Sequence, residues 1–184
     1  MLKHSLFFTL FLLLQGCSPS DQGGQSSESL VASNEFQMKD TRNYPFTIVK
    51  EGNNFTVKEH ESKIVLFDIF ATWCQPCRAE AAHLASLQKK FPAELLVIGV
   101  SIEDGIPNAQ LEQFKKEHGA DYVILNSDQN RALYRAIASA INVGQQFPIP
   151  LMVMYKNGRY VTHYMGMVAE EMIESDIKLA LEGE

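Results

Sequence analysis

The sequence predicts an α/β fold with a mixed central sheet flanked by helices, and three observations predict it. Residues 64–70 and 95–100 are nearly continuous apolar runs of strand length, as expected of strands buried on both faces. Residues 78–90 between them carry apolar side chains at helical spacing, which makes a β-α-β unit with parallel strands. Near the C-terminus, residues 151–155 and 160–164 flank Lys156-Asn157-Gly158-Arg159. Asn-Gly marks a tight hairpin, so antiparallel strands join the same sheet.

The remaining elements follow in order. Residues 46–49 and 55–57 alternate around Glu51-Gly52-Asn53-Asn54 and read as an N-terminal β-hairpin extension. The helix over 78–90 turns Ala82, Leu84, Ala85 and Leu87 toward the core. A helix over 108–118 ends at Gly119, a C-cap. A short strand at 122–125 and helices over 129–140 and 169–181 complete the pattern, with no internal repeat. The domain is expected to span residues 41–184.

Apolar residues make up 46% and charged residues 21% of the 184, as in an ordinary globular domain. The net charge of −6 and the lack of a Lys/Arg cluster argue against nucleic acid as a partner. The N-terminus is a targeting segment: Lys3 and His4 precede an apolar run over residues 6–14, too short to cross a bilayer at about 20 residues. Leu14-Gln15-Gly16-Cys17 resembles a bacterial lipobox, although Gln15 stands where a small residue is usual. The resemblance implies a signal peptide over 1–16, lipid on Cys17, membrane attachment through that lipid, and a place in the bacterial cell envelope. Ser18 is not the Asp that retains lipoproteins at the inner membrane of enteric bacteria, so inner and outer membrane both stay open. Polar, aperiodic residues from Ser18 to about Asn34 read as a flexible tether, assigned to 17–40.

With Cys17 committed to lipid, Cys74 and Cys77 are the only remaining pair. They lie in Trp73-Cys74-Gln75-Pro76-Cys77, between the apolar run 64–71 and the helix. Two thiols three positions apart can close into a small disulfide ring at a helix start. There the dipole and unpaired N–H groups stabilise a thiolate on the first sulfur. Cys74 is therefore the candidate nucleophile, exposed at the helix N-terminus, and Cys77 the buried resolving thiol. Pro76 suits a first turn, where a missing N–H is harmless, and Trp73 is expected to pack beside the thiols. Cys-x-x-Cys also builds half of many zinc sites, but a closed site needs a second such pair or a spaced His-x-His. The sequence has neither, so no metal and no cofactor is expected beyond the dithiol itself. Asp68 interrupts the apolar strand six residues before Cys74. A buried acid there is costly unless employed; the alternative is an edge strand with Asp68 facing water.

Strand, Trp-Cys-x-Pro-Cys, then helix resembles the thioredoxin superfamily, and the resemblance covers about residues 44–182. It implies a thioredoxin-like fold and a buried Asp68 that assists proton transfer at Cys77. It also implies a cis-proline segment against the disulfide, assigned to Pro150 over the neighbouring Pro148 from its distance to Asn157-Gly158. Leu151 stands where Thr often follows. Glu80, three residues after Cys77, and the long segment 101–140 are similar to the membrane-anchored TlpA/ResA/DsbE group. In that group the acid adjoins the site; a solvated helix residue is the other reading of Glu80, and His83 is expected on the helix surface. The implied activity is an extracytoplasmic thiol–disulfide oxidoreductase that reduces exported disulfide-containing proteins such as apocytochrome c. A CcdA/DsbD-type membrane donor would supply the electrons. A disulfide oxidase or isomerase stays open, as does a copper-delivery module using the dithiol with Met152, Met154, Met165, Met167 and His163.

Overall fold

The structure, a computed structural model, describes residues 34–61 and 63–183. The signal segment 1–16, Cys17 and the tether up to residue 33 lie outside the described residues. No helix among the described residues is long and apolar enough to cross a membrane.

Three strands come first: β1 (Glu35–Lys39), β2 (Pro45–Glu51) and β3 (Asn54–Val57), paired antiparallel in that order. The extension is thus a three-stranded sheet rather than a hairpin. Its first strand occupies residues assigned to the tether, which corrects the boundary at 40. Phe36 and Met38 alternate with polar neighbours and bury against β2, opposite Ile48 and Phe46. A single bridge from Asp40 to Leu125 ties the end of β1 to the next sheet.

That sheet contains β4 (Ile64–Phe70), β5 (Leu95–Ser101), β6 (Val123–Leu125), β7 (Leu151–Lys156) and β8 (Arg159–Met165). Their spatial order is β6-β5-β4-β7-β8; β5 and β6 run parallel, while β7 and β8 are antiparallel to their neighbours. The helices are α1 (Gln75–Lys90), α2 (Asn108–His118), α3 (Asn130–Ala140) and α4 (Glu170–Glu182). The fold is thioredoxin-like, as the order of elements predicts. Gly119 caps α2 in the left-handed region at φ +65°, where a residue without Cβ is least strained.

The core lies in two layers either side of this sheet. One holds Leu66, Phe70, Leu84, Leu87, Phe114, Ile173 and both motif cysteines. The other packs β1–β3 and α3 against the opposite face, with Phe55, Phe67 and Tyr155 in mutual ring contact. On α1 the buried row runs through Cys77, Glu80, Ala81, Leu84 and Leu87. Ala82, expected inward, is exposed, because the row begins at Cys77 and returns every three or four residues. The far end of α1 is fastened to α4: Lys90 Nζ meets Glu170 at 2.7 Å and Glu174 at 2.8 Å, and Ser86 donates to Glu170 at 2.8 Å.

Met152, Met154 and Met165 do not share one face of the sheet. Met152 and Met154 are fully buried in the helical layer. Met165 pairs with Leu151, whose side chain belongs to the other layer, and is half exposed. His163 instead bonds Tyr160 through Nδ1 at 2.8 Å.

Candidate active site

β4 is paired on both sides, by β5 and β7, and delivers the chain to a short loop from which α1 starts. Cys74 is the N-cap of α1, with extended backbone, and its Sγ accepts the Cys77 N–H at 3.2 Å. The two cysteines are joined as a disulfide with Cα atoms 5.3 Å apart. Pro76 occupies the first turn, as expected. Cys74 is less open than the sequence suggests: it is 5% exposed, against 2% for Cys77. The Ile149 carbonyl, 3.7 Å from Cys74 Sγ, covers it.

Ile149–Pro150 is a cis peptide bond, so the structure picks Pro150 over Pro148 for the segment facing the disulfide. The Pro150 carbonyl accepts the Gly166 N–H at 2.8 Å, which draws the end of β8 beside the same segment. Trp73, expected beside the thiols, stands largely in solvent. It is 63% exposed and lines a shallow groove with Ile102, Tyr134, Phe147 and Ile149.

Asp68 sits in the middle of the central strand, opposite Gly99 on one side and Met152 on the other, and is buried. The edge-strand alternative therefore falls. Its strand neighbours Leu66 and Phe70 belong to the same layer as Cys74 and Cys77, so the acid lies under the motif helix. Burial drives its pKa from 3.8 up to about 7; the Tyr122 hydroxyl restrains the rise and the charge of Glu80 adds to it. Tyr122 donates to Oδ2 at 3.1 Å, while Oδ1 has no hydrogen-bond partner among the described residues. Tyr122 carries no signal in the sequence: it stands 54 residues from Asp68, outside any motif.

Glu80 is fully buried, which removes the reading of a solvated helix residue. Burial raises its pKa, against the opposing effects of His83 and the Val168 backbone. His83, half exposed on the helix, brings Nδ1 to 3.8 Å from Glu80 Oε2, beyond hydrogen-bond reach. Among the described residues no group of three or more His, Cys, Asp or Glu could hold a metal ion.

A dithiol at a helix N-terminus above a buried carboxyl near neutrality is equipped to exchange electrons and protons with a disulfide. The comparisons agree. The sequence model of the AhpC/TSA family matches residues 32–163. Thiol-disulfide oxidoreductase ResA of Geobacillus kaustophilus is 27% identical over 132 residues, 70% of this chain and 69% of that protein. ResA of Bacillus subtilis is 26% identical over 135 residues, 72% of this chain and 70% of that protein. A secreted Mycobacterium tuberculosis disulfide oxidoreductase, described as homologous to E. coli DsbE, superposes with a TM-score of 0.57 at 18% identity. That superposition covers 81% of this chain and 98% of the other. The chain belongs to the AhpC/TSA family and is a thioredoxin-fold thiol–disulfide oxidoreductase.

Proposed function

We propose that the protein is an extracytoplasmic, lipid-anchored reductant of disulfides in exported proteins, with apocytochrome c cysteines as the expected substrate and a CcdA/DsbD-type membrane protein as electron donor. The observation that carries the direction is the pair of buried carboxyls, Asp68 and Glu80, beneath the dithiol. Asp68 titrates at about 7, so at and above neutral pH it puts negative charge there, which disfavours a thiolate. A pair whose reduced form is not stabilised as thiolate tends to give its electrons away, the opposite of a strong oxidant such as DsbA. The relatives' name ResA, the secreted structural neighbour and the lipobox-like Leu14-Gln15-Gly16-Cys17 support the extracytoplasmic setting.

The Cys74 thiolate attacks one sulfur of the substrate disulfide; the other sulfur leaves as a thiolate and takes a proton from water. The Cys77 thiol then passes its proton to the Asp68 carboxylate and attacks Cys74 Sγ. The second substrate thiolate leaves, the enzyme pair closes, and two electrons have moved to the substrate. Separation of the methionines between two layers of the fold speaks against the copper-delivery alternative.

The test is Cys77→Ser expressed in the native cell, with trapped mixed disulfides identified by mass spectrometry, alongside the reduction potential of the purified pair. Trapped apocytochrome c and a potential near or below the thioredoxin value of about −270 mV are expected. Unrelated envelope proteins in the trap would displace the substrate assignment. A potential near the DsbA value of about −120 mV would reverse the direction.

A further inference from the structure

Thr72 lies two residues before the nucleophile, is buried, and has each of its polar groups held by a side chain from another element. Its N–H donates to Glu103 Oε2 at 2.6 Å and its hydroxyl to Glu103 Oε1 at 2.9 Å. On the other side, Arg78 Nε donates to the Thr72 carbonyl at 2.6 Å. Gln110 Nε2 reaches the hydroxyl at 3.4 Å. The register explains the meeting. Phe70 pairs with Ser101 where β4 and β5 end, so Thr72 and Glu103, each two residues further on, emerge side by side. Glu103 is itself steadied by Ser101, whose hydroxyl donates to Oε2 at 3.3 Å and accepts the Glu103 N–H at 3.1 Å.

A loop of this kind needs only its backbone groups satisfied, which water or a neutral side chain can do. Here a carboxylate grips both donors of one residue, and a guanidinium grips its acceptor, so the peptide planes on either side of Thr72 are held by opposite charges. Charge-assisted bonds of this length are the strong class of hydrogen bond. What they hold is the stretch that continues through Trp73 to Cys74, whose own N–H turns back to the Ala71 carbonyl at 3.1 Å.

We propose that Glu103 is a positioning residue for thiol–disulfide exchange: acting through Thr72, with Arg78 opposing it, it sets the orientation in which Cys74 is presented at the N-terminus of α1. Cys74 must be held where the Cys77 N–H and the helix dipole reach its sulfur, and loosening Thr72 lets that sulfur drift from them. The exchange itself is unchanged: two electrons pass from the Cys74–Cys77 dithiol to the substrate disulfide.

The test uses purified protein as Glu103→Ala and Glu103→Gln. It reads the pH dependence of Cys74 alkylation by iodoacetamide, the equilibrium constant against glutathione, and the melting temperature. Glu103→Ala is expected to slow alkylation about tenfold at neutral pH and to shift the glutathione equilibrium about tenfold, which is about 30 mV for this two-electron couple. Glu103→Gln, which keeps an acceptor for the Thr72 N–H, is expected to recover most of both. A lower melting temperature with unchanged alkylation and unchanged equilibrium would reduce the clamp to a structural contact and overturn the proposal. Should Glu103→Ala fail to fold, Glu103→Asp draws the carboxylate back by one methylene and is judged by the same two readouts. Neither readout involves a protein substrate, so they stand apart from the identity of the physiological one.

Discussion

The Tyr122 hydroxyl donates to Asp68 Oδ2 at 3.1 Å and is the only hydrogen-bond partner of that carboxyl among the described residues. Room for the Tyr122 ring comes from Gly99, which pairs with Asp68 across β4 and β5. The carboxyl proposed to take the Cys77 proton is therefore aimed by one hydrogen bond, and its charge state is set jointly by burial, Tyr122 and Glu80.

Removing each neighbour should move the titration of Asp68 in opposite directions. Tyr122→Phe takes away a bond that favours the charged form, so the pH midpoint of exchange should rise above about 7. Glu80→Gln takes away a neighbouring charge that opposes ionisation, so the midpoint should fall. One unit of pKa corresponds to about 1.4 kcal/mol, near the low end for a hydrogen bond to a charged group. Shifts of about one unit are thus expected in rate profiles between pH 5 and 9. A common direction for both variants would refute the assignment.

Asp68 should also make stability depend on pH. Its carboxyl titrates at 3.8 ordinarily and at about 7 when folded, so between these values the folded chain holds a proton that the unfolded chain lacks. The stabilising contribution is fully present below about pH 4 and is lost as pH rises through about 7, by an amount on the order of 4 kcal/mol. Asp68→Asn, which does not ionise, should melt higher than the parent above pH 7. The difference should vanish toward pH 4. Thermal melts across this range check it.

Gly99→Ala tests the space given to Tyr122. A Cβ would stand 3.1 Å from both Ile124 and Phe70 and 3.3 Å from the Tyr122 ring. Overpacking of this kind costs about 1–3 kcal/mol. Denaturant unfolding should show that loss, together with a displaced midpoint for Asp68, because the ring must move to admit the methyl.

The β1 strand yields a boundary prediction. A chain beginning at Thr41 loses the burial of Phe36 and Met38 against β2, worth about 1.5–3 kcal/mol for each side chain. Its melting temperature should fall well below that of a chain beginning at Asn34. Equal melting temperatures would restore residues 35–39 to the tether.

Much of this was legible because the chemistry is local. The apolar runs 64–70 and 95–100 announce buried strands, Asn157-Gly158 announces the hairpin, and Cys74 to Cys77 lie within one helical turn. Asp68 could be picked out because an acid inside such a run contradicts its surroundings. The β1 strand was missed because its two apolar residues are too few to outweigh Glu35, Gln37 and Lys39. Tyr122 and Glu103 were invisible for another reason: each reaches the site from a distant segment, and only the parallel pairing of β4 with β5 and of β5 with β6 brings them there.

The attachment of Lys90 to Glu170 and Glu174 bears on how the dithiol can open. It moors the last turn of α1 to the C-terminal helix, at the opposite end from the Cys74–Cys77 disulfide. When the bond between Cys74 and Cys77 is cut, adjustment falls to the first turn of α1, because the last turn is moored. These moorings are partly exposed ion pairs that salt screens. Ionic strength therefore acts on the seam between α1 and α4 at the end remote from the sulfurs.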